Sequence, residues 1–493
     1  MPPFVARHER ALVLALAIFA GVRVLCFALA FPFFTNVDEY RHVDVVLKYA
    51  EGRGPQHGPV AYESETARLL GVVGSPEYHR HPVNPLRPEV PPPTWRSSRG
   101  AAAQRVAEME TYLASRHSLE AGQAPVYYAL AGGWLVVGRA AGLRDAALLY
   151  WVRALASLGV GLLVFVSWGV LRALYPERPL VSVGTAGLVA VMPQDAVYYV
   201  TGDALSPFLG GLAFLLTVRL LGATAFQARA YAVAGLALAV AFLGKYPNAA
   251  LYAAALVTSG ILIQRGTAPR RLLLFWALAL VPVVAWLGGN VAAGAGLTGT
   301  AFKVERLGWT AKPLAEWLDH PVFSPAGAWV FFRDLVASFW RGEIVWYQRP
   351  LASGVADAVY CVATFGGLLF AALGLAQRHG SGTQRGVETA AFAAVVAAAG
   401  VLVVLSLAFV FGGTVHPSPE YPYFSNGRLV GGVLVPLALL IVRGVEEATA
   451  RLPRGGSGWA WGVLAGIACV ALVSEVTLTA PVFSSAYNAY HLP

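Results

Sequence analysis

The chain has 493 residues, 57% of them hydrophobic and 13% charged, roughly half the charged share of an average soluble domain. With a mean hydropathy of +0.59, this composition excludes a water-soluble fold. The formal charge of +9 does not point to nucleic acid, because the arginines fall in clusters between apolar segments, as the positive-inside rule expects.

Apolar segments of about the length a membrane span needs run over residues 11–31, 124–142, 147–171, 180–200, 204–221, 228–244, 248–263, 272–293, 356–375, 389–411, 429–442 and 459–479. They predict an all-α integral membrane protein with about 11–13 transmembrane helices and amphipathic interfacial helices in two large outer loops. The first segment follows Arg7 and Arg10 and resembles a signal peptide, but its length and the spans after it favour an uncleaved helix. Cys26, Cys361 and Cys469 all sit in apolar runs, where a thiol acts as a small hydrophobe.

Basic residues set the expected orientation. Placing the clusters Arg7/Arg10, Arg139/Arg144, Arg265/Arg270/Arg271, Arg378/Arg385 and Arg443/Arg451/Arg454 on the cytoplasmic side puts residues 32–123, 294–355 and 413–426 outside. Three parts follow: an N-terminal transmembrane module over 1–294 that includes the first outer loop 32–123, a second outer loop with interfacial helices over 295–355, and C-terminal transmembrane helices over 356–493. The scheme contains a conflict of parity. Five apolar segments lie between Arg144 and Arg265, both assigned inside, so at least one must be partial or re-entrant, with Pro193 and Lys245-Tyr246-Pro247 as the expected breaks.

The first cluster able to carry chemistry is Asn36-Val37-Asp38-Glu39-Tyr40-Arg41-His42, directly after the first helix. On a helix starting there, Asp38 and His42 are four residues apart and share a face. Two carboxylates beside an imidazole suit removal of a proton from a hydroxyl. The same residues also suit a helix N-cap, with the acids favoured by the dipole. Gln123-Ala124-Pro125-Val126-Tyr127-Tyr128 opens the second apolar segment, where a first-turn proline and an interfacial tyrosine belt account for the pattern better than a binding role does. Glu77, His79 and His81 lack a complete metal ligand set and read as a solvated loop.

Deeper in the apolar sequence stand Asp203, Lys245 and Arg428. An ionisable group at mid-membrane costs about 2.5–3.5 kcal/mol on insertion scales, so these three are expected at a polar cavity, an interface or in mutual pairs. Glu475 reads as structural. Arg341 and Glu343 close the Trp-rich second loop, and an arginine fork suits a phosphate there, although solvation of the loop explains both residues equally.

Taken in this order, the motifs resemble the GT-C class of membrane glycosyltransferases, which use polyprenyl-phosphate sugars, and within it the bacterial relatives of protein O-mannosyltransferases and aminoarabinose transferases. The resemblance rests on Asp38-Glu39 and His42 after the first helix, a long outer loop, Gln123-Ala124-Pro125-Val126-Tyr127-Tyr128, Pro193 and Asp203, Gly244-Lys245-Tyr246-Pro247, and Asn426-Gly427-Arg428. Gln123-Ala124-Pro125 departs from the basic residue and paired prolines usual at that place.

The resemblance implies a GT-C-like fold in a plasma membrane, the inner membrane of a bacterium, with a cytoplasmic N-terminus and a site on the periplasmic or extracellular side. It implies inverting transfer of a hexose or pentose from a polyprenyl-phosphate-sugar donor to a glycan, lipid or protein hydroxyl. Asp38 would be the base, and Glu39 and His42 would orient it or the acceptor. Lys245, Arg341 and Arg428 would bind the donor phosphate, and Gln123, Tyr127 and Asp203 the rest of the substrates. No cofactor is required on this reading, and a divalent metal is left open. The partners implied are that donor, that acceptor and the surrounding membrane lipids, with no nucleic acid. A secondary transporter, or a flippase of lipids or glycans, is the alternative that the same buried charges allow.

Overall fold

The computed structural model describes residues 3–34, 38–79, 90–223, 226–414, 416–452 and 456–492. Asn36, His81 and Arg454 therefore lie outside the described residues. The chain is helical nearly throughout: α1 Pro3–Ala30, α2 Glu39–Ala50, α3 Ser64–Val73, α4 Arg99–Ala114, α5 Pro125–Ala140, α6 Asp145–Leu174, α7 Pro179–Val191, α8 Ser206–Arg219, α9 Ala228–Gly244, α10 Leu251–Gln264, α11 Pro269–Ala292, α12 Ala301–Arg306, α13 Pro325–Arg341, α14 Gly354–Ala376, α15 Gly382–Ala408, α16 Leu434–Thr449 and α17 Gly456–Phe483. Proline occupies the first turn of α5, α7, α8, α11 and α13, where its missing N–H costs nothing. Ser324, Ser353 and Ser381 cap α13, α14 and α15, the last with a reciprocal bond from Gln384.

Among the described residues, eight helical segments are long and apolar enough to cross a membrane, and three shorter ones, Pro179–Val191, Ser206–Gly222 and Ala228–Gly244, are apolar. This is a multi-pass membrane protein. The segment Gly427–Thr449 is 83% buried inside the bundle and forms its axis, whereas α11 is 22% buried and lies at the periphery. Cys26, Cys361 and Cys469 are free thiols.

Contacts give the helices their direction. Near its start α1 meets the end of α6, where Arg172 pairs with Glu9 at 3.2 Å. At its other end Arg153 of α6 donates to the carbonyls of Ala28, Phe31 and Pro32. Helices α1 and α6 are thus antiparallel, and α6 begins at the end of the bundle that carries the first loop. Two further contacts agree: Arg139 pairs with Glu65 of α3 at 2.6 Å, and Arg68 of α3 with Asp145 at 2.6 Å.

This corrects the expected topology. Arg139 belongs to the loop end because Glu65 of the first loop pairs with it, and Arg144 stands there too, next to Asp145, which pairs with Arg68 of α3, so five helices between Arg144 and Arg265 are the odd number required. The apolar stretch 124–142 is not a crossing either. Helix α5 folds back along the loop-end half of α6, with Trp134 stacked on Trp151 at 4.1 Å, and packs against α2. The remaining eleven apolar segments alternate in direction.

Both large loops and the residues after α17 meet at one end. Lys303 of α12 reaches Glu120 of the first loop at 2.5 Å, and Trp95 donates to the His491 carbonyl at 3.1 Å. Two residues of the second loop, Thr310–Ala311, pair antiparallel with Phe409–Val410.

Candidate active site

Helix α2 packs against α5 at the loop end, and its first residues point in three directions. Asp38 takes the left-handed conformation (φ 59°), which aspartate tolerates better than most residues, and its side chain forms no capping bond. The carboxylate is half-exposed, lies 3.5 Å from Arg41, and stands within electrostatic reach of Arg428. Glu39 turns into the bundle instead. Its two oxygens take a forked pair of bonds from Arg153 (2.8 and 2.7 Å) and the backbone N–H groups of Phe34 (3.0 Å) and Val200 (2.8 Å), with neither side chain exposed. His42 faces α5, where Nδ1 lies 2.7 Å from the Tyr128 hydroxyl. The expected grouping of Asp38, Glu39 and His42 on one face is therefore divided among three environments.

Around His42 the two loops supply charges that the sequence reading did not single out. Glu120 accepts from Lys303 and from Gln123 Nε2 (2.8 Å). Burial alone would raise the Glu120 carboxyl, but the nearby Lys303 charge and the other cations hold it well below the usual carboxylate range. Burial pushes the His42 imidazole down to about 4, against the pull of Glu120, so it is neutral at physiological pH. Tyr127 is buried beside the Thr201 backbone, and Gln123 orients Glu120.

Asp203 and Lys245 form an ion pair at 2.8 Å. Both occupy breaks in the helical ladder, Asp203 in the turn between α7 and α8 and Lys245 where α9 ends before a 3₁₀ segment at Tyr246–Ala250. Irregular backbone at such depth is tolerated where protein covers it. Asp203 also lies within electrostatic reach of Arg428 and His42. It shares with Arg428 a narrow crevice walled by Pro193, Pro207 and Phe339.

Arg428 opens the 3₁₀ turn Gly427–Val433. A side chain at position 427 would collide with the Phe339 backbone, so only glycine lets this turn approach α13. Arg428 lies 3.6 Å from Glu343, which also accepts from Asn426 Nδ2 at 2.5 Å. Asp195, in a positive-φ conformation (57°), accepts from the Glu343 N–H at 2.8 Å, and the left-handed Gly342 packs directly on it. This contact ties the turn between α7 and α8 to the second loop. Arg341 is directed elsewhere, to Asp357 of α14, by a forked contact at 2.8 and 3.3 Å.

Of the expected site residues, then, His42, Gln123, Asp203, Lys245 and Arg428 gather at the loop end, with Asp38 within electrostatic reach of Arg428. Glu39, Tyr127 and Arg341 are held in the surrounding framework. Asp38, Asp203, Glu120 and Glu343 each carry a cation of their own, from Arg41, Lys245, Lys303 and Arg428. Among the described residues no three His, Cys, Asp or Glu side chains gather in one group that could hold a metal ion.

No protein-family model matches the chain, and no curated protein matches it. Among solved structures, it is similar to the oligosaccharyltransferase AglB of Archaeoglobus fulgidus in complex with an inhibitory peptide and a dolichol-phosphate, at 12% identity and a TM-score of 0.45. That match covers 97% of this chain and 56% of the other. A crystal structure of an oligosaccharyltransferase of the same organism, with zinc and sulfate, matches at 15% identity and a TM-score of 0.37, covering 74% of this chain and 44% of that one. The chain spans about half the length of these solved structures.

Proposed function

We propose that the protein is an inverting glycosyltransferase that moves a sugar from a polyprenyl-phosphate donor to a hydroxyl of a glycan, lipid or protein. The observation that carries this reading is one arrangement: a half-exposed carboxylate, Asp38, lies within electrostatic reach of the cation Arg428, which shares a crevice with Asp203, the partner of Lys245. A sugar placed between them has a proton acceptor on one side and phosphate-binding cations on the other.

Asp38 takes the proton of the attacking hydroxyl as the new bond to the anomeric carbon forms and the bond to the phosphate oxygen breaks. The transition state has oxocarbenium character, and the lipid phosphate leaves with the bonding electrons. Lys245 and Arg428 balance the charge that grows on it. Asp203 holds the Lys245 ammonium in place. Glu39 acts as a positioning residue, since its clamp on Arg153 fixes the start of α2 and therefore Asp38. Arg341 shapes the second loop through Asp357 rather than binding phosphate.

In this proposal the loop end faces the periplasm or the exterior of a plasma membrane. Arg265, Arg378 and Arg385, all at the opposite end, support that orientation by the positive-inside rule.

The direct test is to reconstitute the protein in liposomes with a panel of polyprenyl-phosphate hexoses and pentoses and to follow release of the lipid phosphate. Sugar-dependent release with inversion at the anomeric carbon is the expected result. Movement of intact donor between leaflets without cleavage would replace transfer by transport.

A further inference from the structure

The end of the bundle away from the loops carries a second feature. A hollow of about 410 Å³ lies between the C-terminal ends of α10 and α14 and the first turns of α15. Arg265, Arg378 and Arg385 line it beside Ile261 and Leu375, and no lining residue is acidic. Three other arginines at this end are neutralised, Arg172 by Glu9, Arg178 by Glu446, and Arg443 by Glu388 and Glu447. Among the described residues, Arg265, Arg378 and Arg385 have no carboxylate at ion-pair distance.

Their local geometry keeps them facing one space. Arg265 donates to the Leu221 carbonyl (2.9 Å) and the Thr383 hydroxyl (3.2 Å), which fixes its guanidinium at the rim. Arg378 takes a positive φ of 58° where the chain turns after α14. Arg385 has its Nε buried without a hydrogen-bond partner, a donor left to be satisfied from the hollow. Three guanidinium groups around one space repel each other unless an anion lies between them. The N-terminus of the long helix α15 adds positive potential in the same place.

We propose that this hollow binds one anionic phospholipid, with its phosphate on Arg265, Arg378 and Arg385. The choice of a lipid over a soluble anion follows from location. The hollow opens at the ends of membrane-crossing helices, and the exposed Leu369 and Leu373 of α14 continue from it along the bilayer, as a surface for an acyl chain. Guanidinium forks match phosphate oxygens better than ammonium groups do. The site is remote from the proposed transferase centre and does not depend on that assignment.

The test uses the whole chain purified in detergent and then placed in phosphatidylcholine nanodiscs, with and without diphosphatidylglycerol. Native mass spectrometry should show one anionic phospholipid retained per chain, with retention falling as ionic strength rises. The double variant Arg378→Gln/Arg385→Gln should bind diphosphatidylglycerol about thirtyfold more weakly, at about a factor of five per charge removed. Its melting temperature in pure phosphatidylcholine should equal that of the wild type. Equal retention of phosphatidylcholine and diphosphatidylglycerol by the wild type would overturn the proposal, whatever the variant does. So would an equal thermal shift with inorganic phosphate, which would make the hollow a site for soluble anions, and so would unchanged binding in a folded double variant.

Discussion

Glu39 and Arg153, 114 positions apart, meet in a two-pronged ion pair in which both side chains are completely buried. Arg153 also donates to three carbonyls at the end of α1, so a single guanidinium joins α1, α2 and α6. Removing one member leaves the other charge without compensation inside the bundle, which costs about 3–5 kcal/mol. Glu39→Gln and Arg153→Met should each lower the melting temperature in detergent sharply. The double variant should be less unstable than the sum of the two. Additive losses would show that the groups do not depend on each other.

Lys245 and Asp203 permit a separation of stability from activity. Lys245→Ala leaves Asp203 buried without its partner and removes one of two cations assigned to the leaving phosphate. Both the melting temperature and turnover should fall, turnover by about a hundredfold. Lys245→Ala/Asp203→Ala should recover most of the stability and none of the turnover. Recovery of both would assign the pair a structural role alone.

Much of this site was legible in the sequence, for a physical reason. Asp203, Lys245 and Arg428 are charges beside helix breakers in apolar sequence, and the cost of exposing them to lipid forces them to a shared polar place. The same argument applied to Arg153 and Arg23, lone arginines in apolar helices, would have found their partners' existence, though not Glu39 and Glu475 themselves. The Glu120–Lys303 pair was not legible. Its members are 183 positions apart, and each alone reads as an ordinary loop charge.

The topology was misread at Arg139, because a basic cluster does not announce which carboxylate neutralises it; here that carboxylate is Glu65 of the first loop. Helix α5 has the composition of a short span, but its length and its packing against α2 keep it in one half of the bundle.

Glu77 makes the joint between the loops sensitive to pH. Its carboxylate accepts from Ser75 (2.9 Å), Tyr347 (3.3 Å) and Ser485, which draws the first loop, the second loop and the segment after α17 together with no cation at ion-pair distance among the described residues. Burial raises this carboxyl above its usual 4.5. The native state therefore favours the neutral form, and the joint is at full strength below about pH 4.5 and weakens as pH rises through the shifted value. Amide exchange at residues 75–79, 345–348 and 484–488 should speed up over that window beyond the intrinsic effect of pH. Glu77→Gln should abolish the extra dependence, and an unchanged profile in that variant would place the titrating group elsewhere.

The central claim is that Asp38 receives the acceptor proton. It is tested most directly by comparing Asp38→Asn with the wild type in liposomes, measuring donor binding and single-turnover sugar transfer on the same preparation. The account predicts unchanged melting temperature and donor affinity, with the rate of transfer reduced by about 10²- to 10⁴-fold. Transfer at the wild-type rate by a folded Asp38→Asn protein would contradict it.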